Sequence, residues 1–208
     1  MTAFVVSIDG PDFCGKSTIT SLLLADLRKR KLGFMIKKTA LPSTLVTGMA
    51  TSLLRNSRDD VDAKVFALSY AADHLHHDAW VESLKKSKDK YLVLQERSLL
   101  STYVYQGIIG GLDIKWMREI NRFDRNIPQL GIILKLPINE LLARKGTDNR
   151  SFDVYETTEK LKKQTEIYYN LPTELAKEFN IKVIDADKDP EKVAKEIGDI
   201  VETALKGK

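Results

Sequence analysis

Short apolar runs alternate along this chain with longer stretches in which apolar residues recur every three or four positions. That alternation predicts a parallel sheet covered by helices. The runs Ala3 to Ile8, Phe34 to Lys38, Tyr91 to Gln95, Leu130 to Leu136 and Ile181 to Asp185 are the predicted strands. Between them the helical period is clear, as with Ile19, Leu22, Leu23 and Leu27 in the first helix. In the last helix Asp189-Pro190 supplies the start signal, and Val193, Ile197, Ile200, Val201 and Ala204 form one apolar stripe. No repeat, low-complexity tract or linker interrupts the pattern. Lys145 to Asp153 is polar and carries neither period.

Composition narrows the class. A chain of 208 residues suits one well-buried domain and is short for two, so a single α/β domain over 1–208 is expected. Hydrophobic residues at 43% and charged residues at 30% describe an ordinary globular protein, not a disordered one. The net charge of +4 suits an anionic ligand. The basic residues are dispersed among nearly as many acids, with no basic stripe interleaved with aromatics, so a phosphorylated small molecule is favoured over nucleic acid. Cys14 is the sole cysteine, which precludes an intrachain disulfide and makes a reducing cytoplasm the expectation. The run Phe4 to Ile8 is too short for a signal-peptide core and lacks a basic stretch before it. No segment approaches the roughly 18 apolar residues that a membrane span needs.

The candidate chemistry begins where the first strand ends. Gly10-Pro11-Asp12-Phe13-Cys14-Gly15-Lys16-Ser17 matches G-x-x-x-x-G-K-S/T between a predicted strand and a predicted helix, the context that gives this motif its meaning. The two glycines let backbone N–H groups wrap inward, and the helix adds the positive end of its dipole. Lys16 can then reach the β and γ phosphates of ATP, and Ser17 offers a hydroxyl to Mg²⁺. The ATP-binding stretch is thus read as Gly10 to Thr18, with Cys14 serving as a small side chain in the loop. His74 and His77 lie three apart on a predicted helix and are read as exposed helical histidines, not as a metal pair.

Among phosphate-loop proteins, a guanine-specific switch would carry Asn-Lys-x-Asp, which this chain lacks. Tyr91 to Glu96 could pass for the acid-ended strand of a motor ATPase, but Arg97, Ser98, Ser101, Tyr105 and Gln106 follow it and suggest an acceptor site. At these residues the chain resembles the thymidylate kinase family from end to end. The family's Asp-Arg-Tyr/His, Ser and Tyr-Gln-Gly elements are met by Glu96-Arg97-Ser98, Ser101-Thr102 and Tyr105-Gln106-Gly107. Asp12 stands two residues past the first glycine, and Tyr70-Ala71-Ala72-Asp73-His74 matches the family's aromatic-x-Ala-Asp/Asn-Arg. The stretch from Tyr155-Glu156 to Tyr168-Tyr169, and then Val183 to Ala186, resembles its C-terminal third.

The resemblance implies a phosphate-loop fold, a homodimer, and transfer of a phosphoryl group from ATP to dTMP with Mg²⁺. It implies that Asp12 holds the acceptor sugar, Tyr70 stacks on the base, Arg97 neutralises phosphate charge and Tyr105 presses on the sugar. Pro42, His74 and Thr102 would complete the acceptor site, and Glu96 would act on Mg²⁺ through water. Lys145 to Asp153 would be the lid. Phe13 occupies a position where some members carry arginine, so Arg150 is expected to bring the catalytic cation and Arg144 to flank the adenine. Two departures concern the acceptor. Ala40 replaces the arginine two residues before Pro42, and His74 replaces the base-reading arginine. Lys37 and Lys38 are considered as replacements for the first. A deoxynucleoside kinase is the nearest alternative, since it shares the Glu96-Arg97-Ser98 signature. A catalytically idle nucleotide-binding protein is the other.

Overall fold

The apolar runs become a five-stranded, all-parallel sheet in the order β2-β3-β1-β4-β5 in the computed structural model, which describes residues 2–57, 61–148 and 156–207. The strands are β1 (Ala3–Asp9), β2 (Met35–Ala40), β3 (Tyr91–Glu96), β4 (Leu130–Lys135) and β5 (Ile181–Asp185). Every residue of β1 and β3 is buried. Strands covered on both faces read as near-continuous apolar runs, which is why these were the clearest in the sequence. The edge strands β2 and β5 instead carry Lys37, Lys38 and Lys182, side chains that discourage further pairing. β2 begins one residue later than predicted and continues to Ala40, because its ladder with β3 runs from Met35–Tyr91 to Ala40–Glu96.

Alternate residues divide the core into two layers. Val6, Ile8, Leu92, Leu94, Ile132 and Leu134 pack with α1 (Lys16–Lys29) and α9 (Pro190–Lys206), the helix with the apolar stripe. Val5 and Val93 face α3 (Ala63–Lys85) through Val81. Ile133 joins a cluster built from α3, α4 (Leu99–Thr102), α5 (Ile114–Ile120), α7 (Thr158–Tyr169) and α8 (Thr173–Glu178). Helices α2 (Val46–Asn56) and α6 (Ile138–Thr147) complete the helical layers among the described residues. α4 passes directly into a π-helical segment, Tyr103–Ile109, which the sequence did not suggest. Such segments occur frequently at functional sites. No helix among the described residues is long and apolar enough to cross a membrane.

The sheet order places β1 between β3 and β4, so the crossovers reverse direction beside it. Parallel sheets bind ligands in the crevice outside the carboxyl ends of the strands at such a switch point. The phosphate loop leaves β1 there, and Arg97 to Tyr105 follow β3.

Candidate active site

The phosphate loop is wrapped by its own backbone. Gly10 has φ 142° and Gly15 φ 88°, and a Cβ at Gly10 would come 2.9 Å from Cys14 Sγ and 3.1 Å from the Leu134 carbonyl. Phe13 is held at φ 65°, a sparsely populated region for a residue with a side chain. Gly15 is the N-cap of α1, so the helix begins at Lys16 with its first N–H groups open to an anion. Lys16 Nζ donates to the carbonyls of Pro11 at 2.7 Å and Gly10 at 3.1 Å. In front of the loop lies a solvent-open cleft of about 880 Å³, walled by Phe13, Gly15 to Thr18, Arg55, Arg97 and Arg144. A second cavity of about 520 Å³ adjoins it between Cys14, Thr18, Arg144, Ala186 and Pro190. Arg144 Nη1 lies 3.4 Å from the Phe13 carbonyl and faces both spaces. The Arg150 expectation, with the rest of the lid beyond Asp148, lies outside the described residues.

On the other side of the loop is a pocket of about 320 Å³. Tyr70, Arg97, Thr102 and Tyr105 line it as expected, with Leu41 instead of Pro42, which follows it through a cis peptide bond. Asp12 is only 3% exposed and pairs with Arg97 Nη2. The Tyr105 hydroxyl lies 3.0 Å from both Asp12 Oδ2 and Gln164 Oε1, so its one hydrogen serves one of them at a time. It accepts from Arg97 Nη1 at 3.2 Å, and Gln164 Oε1 accepts from the Asp12 N–H at 2.9 Å. Burial alone would raise the Asp12 pKa; Arg97, Lys16 and Arg55 overcome it and bring the carboxyl down to about 2. Burial likewise pushes the Tyr105 phenol well up, so it remains a neutral hydroxyl.

Three positioning groups were missed in the sequence. Asp9, fully buried at the end of β1, accepts from Ser98 N at 3.0 Å, Ser98 Oγ at 2.9 Å and Ser101 Oγ at 2.7 Å. It thereby ties the start of α4 to the phosphate loop. With the Ser101 hydrogen committed to Asp9, the Tyr168 hydroxyl at 2.8 Å is the donor to Ser101. An acid directly before the first loop glycine, on an otherwise apolar strand, was the available signal for Asp9. Gln164, on α7, gave none. Neither did Arg55, in the last turn of α2, which reads as an ordinary helix-ending cation. Arg55 and Arg97 line both the cleft and the pocket.

Packing decides where these charges go. Glu96 accepts from Ser17 Oγ at 2.7 Å and pairs with Lys38 Nζ at 2.9 Å, while Arg97, at φ 65°, turns toward Asp12. Lys38 also donates to Ser21 at 3.1 Å, so it serves Glu96 and does not stand in for the arginine absent at Ala40. Nor are the α3 histidines exposed: His74 and His77 are 3% and 2% accessible. The resemblance put His74 in the acceptor site; it is absent from the pocket lining and stands behind Thr102. The exposed face of α3 runs elsewhere, because its inner face is what closes over Val5 and Val93.

Burial pulls the imidazoles of His74 and His77 down to about 4. An unfolded histidine protonates near pH 6.5, so between about pH 6.5 and 4 the unfolded chain binds protons that the native state refuses. Stability contributed this way is present above that window and is lost as pH falls through it. Asp124, raised by burial to about 6, and Asp78, also raised by burial, act in the opposite direction but are outweighed. We expect the urea midpoint to fall between pH 7 and about 4.5, by a net loss on the order of 2–4 kcal/mol. An unchanged midpoint would show that these histidines already carry protons in the folded protein.

The comparison with known proteins points the same way as the geometry. The family model described as "Thymidylate kinase" matches residues 8–197. A probable thymidylate kinase of Caldivirga maquilingensis is 31% identical over 208 residues, covering 98% of this chain and 95% of its own length. Probable thymidylate kinase 1 of Saccharolobus solfataricus is 30% identical, covering 97% of this chain and 98% of its own. The thymidylate kinase of Leuconostoc mesenteroides is also 30% identical, with 98% and 97% covered. With a wrapped phosphate loop, a pocket beside it, and matches that run almost the whole length of the molecule, the chain belongs to the thymidylate kinase family.

Proposed function

We propose that the protein transfers the terminal phosphoryl group of ATP to the 5′-phosphate of dTMP, giving dTDP and ADP. The observation that carries this reading is that Arg55 and Arg97 line both the donor cleft and the acceptor pocket. Two anions that repel one another need cations where they meet, and catalysis of phosphoryl transfer consists mainly of in-line positioning and such charge stabilisation. Lys16 faces the donor phosphates, a phosphate oxygen of dTMP attacks the γ phosphorus, and the bond to the β–γ bridging oxygen breaks. Asp12 and Tyr105 hold the sugar, Tyr70 stacks on the base, and Arg144 flanks the adenine. Arg150 remains the candidate lid cation. Family membership supports the same reading.

Ser17 and Glu96, with oxygen atoms 2.7 Å apart at the loop, form a hard-oxygen donor set that suits Mg²⁺. They would hold the ion directly or through water, and it would shield phosphate charge. Glu96 also pairs with Lys38 Nζ at 2.9 Å. A homodimer belongs to the same proposal. Val46, Met49 and Leu53 on α2 and Val65, Leu68 and Leu75 on α3 are exposed large apolar residues at helical spacing, a pattern that supports a protein contact on these helices. A cytoplasmic location fits a nucleotide-metabolising enzyme with a reduced, buried Cys14.

Arg55 offers the acceptor phosphate the cation missing at Ala40. Arg55→Ala is expected to lower kcat/KM for dTMP about ten- to hundredfold, with KM for dTMP rising far more than KM for ATP. Adding Ala40→Arg to that variant should recover part of the loss. Steady-state kinetics with each substrate varied in turn decides it; an unaltered KM for dTMP would remove Arg55 from the acceptor site. The reaction itself is tested with ATP and a panel of dTMP, dUMP, dCMP, UMP and thymidine. Thymidine as the best acceptor would hand the site to a nucleoside kinase.

A further inference from the structure

Arg97 reaches both cavities from a backbone conformation that a residue with a side chain rarely adopts, φ 65°. Both peptide planes that flank it are held. On the plane before it, the Glu96 carbonyl accepts from Leu41 N–H at 2.9 Å and Arg97 N–H donates to the Ile8 carbonyl at 2.9 Å. On the plane after it, Ser98 N–H donates to Asp9 Oδ1 at 3.0 Å and the Arg97 carbonyl accepts from Gln95 Nε2 at 2.9 Å. The two soft dihedrals of a residue turn one plane against the other, so fixing both planes fixes the conformation. Gln95 Oε1 in turn accepts from Asn126 Nδ2 at 2.9 Å, and Asn126 N–H donates to Asp124 Oδ1 at 2.9 Å. We propose that Gln95 is a positioning residue for the reaction: held by Asn126, its amide fixes the Arg97 carbonyl and with it the left-handed backbone from which the guanidinium reaches Asp12 and Tyr105. The inference rests on the reading of Arg97 as the cation shared by the two substrates.

An amide is out of pattern where Gln95 stands. It follows Val93 by two residues on β3 and so shares the face that meets α3, where Val5, Val93 and Val81 pack. An apolar side chain would serve that packing alone. The orientation of the amide follows from its partners. The Arg97 carbonyl can only accept, so Nε2 must face it, and Oε1 is left for the Asn126 donor. Gln95 and Asn126 are 1% and 4% exposed, so bulk water does not compete for either bond. Without the Gln95 donor the Arg97 carbonyl loses its partner, and the peptide plane turns to regain one. That turn carries the guanidinium away from Asp12 and from the Tyr105 hydroxyl, and a misplacement of about 1 Å costs up to about a hundredfold in rate.

The test is a double-mutant cycle. Gln95→Met keeps the length of the side chain and its packing against α3 but donates nothing. In the otherwise unaltered protein it is expected to lower kcat/KM for dTMP about ten- to hundredfold, mostly through kcat. In Arg97→Ala it should change kcat/KM by no more than about twofold, because the group it positions is gone. An equal loss in both backgrounds would show that Gln95 acts on the fold and not through Arg97, and would overturn the proposal. A second measurement needs no turnover. Burial raises the Asp12 pKa, and Arg97, Lys16 and Arg55 together bring it down to about 2. Carbon-13 NMR of the Asp12 carboxyl without substrates should show it titrating at higher pH in Gln95→Met; an unmoved titration in the folded variant would sink the proposal. If Gln95→Met does not fold, Asn126→Ala, which frees the Gln95 amide to rotate, takes its place in both measurements and the same outcomes decide. If the Asp12 titration moves but the unaltered protein phosphorylates no nucleotide, the kinase reading fails and the positioning of Arg97 by Gln95 stands.

Discussion

Replacing Lys16 with alanine is expected to lower kcat by about 10²–10⁴-fold while leaving the protein folded, the magnitude typical of removing a cation or donor aimed at the reacting phosphoryl group. The side chain is part of the loop and not of the apolar core. Its Nζ is met by the carbonyls of Gly10 and Pro11, which phosphate oxygens would replace as acceptors. Burial lowers the Lys16 pKa and Arg97 adds to this, with Cys14, Asp12 and Asp9 pulling the other way, so an incoming phosphate would favour the charged form. The surrounding loop has supports besides the ammonium. Gly10, Phe13 and Gly15 hold its shape through their backbone angles, and Ile19 N bonds Gly15 O at 2.9 Å. Single-turnover kinetics beside a thermal melt would check both halves. Turnover within about threefold of the original would mean that phosphoryl transfer does not run through this loop.

Arg97→Ala should be nearly as damaging, by about 10³-fold in kcat/KM, and unlike Lys16→Ala it should also reduce stability by about 1–3 kcal/mol. Arg97 is shared by the donor cleft and the acceptor pocket, so its loss removes positive charge where the two substrates meet. It also leaves Asp12 buried at 3% exposure without its ion-pair partner. The wild-type carboxyl, near 2, is ionised throughout the working range. With Arg97 gone, burial remains and the strongest opposing charge is lost, so the Asp12 pKa rises. The variant's residual kcat/KM should acquire an acid limb at higher pH than the wild type, lost as pH falls through the new value. Arg97→Lys should recover only part of the activity, because a point charge cannot reach both Asp12 and Tyr105 as the guanidinium fork does. Full activity in Arg97→Lys would show that charge alone, without the fork, is what the site requires.

What the sequence determined is what lies close together along the chain. The β1–loop–α1 unit was legible because the glycines, Lys16 and Ser17 act within a few residues of one another and need only a strand before and a helix after. The strands were legible in proportion to their burial. β1, β3 and β4 declared themselves as apolar runs, whereas β2, with Lys37 and Lys38, took its limits from its ladder with β3. Resemblance supplied Asp12, Tyr70, Thr102 and Tyr105, which do converge at one pocket or its edge.

Tertiary structure decided how charges and hydrogens are shared across elements distant in sequence. Glu96 answers to Lys38 and not to its neighbour Arg97, because β2 lies beside β3 while the positive φ of Arg97 turns its side chain toward the loop. Arg55 could not be recognised from a helix end alone; the packing of α2 on α3 brings it to the meeting point of the two cavities. Asp9 holds Ser98 and Ser101, and Gln164 holds Asp12, from a strand and a helix that only the fold makes adjacent to them. His74 is the clearest case. On the sequence it is a histidine where an arginine was expected, and its helical spacing cannot say which way the ring faces. Its burial beside Thr102 and Asp124 pulls the imidazole down to about 4, and burial is a property of neighbours that the chain assembles only on folding.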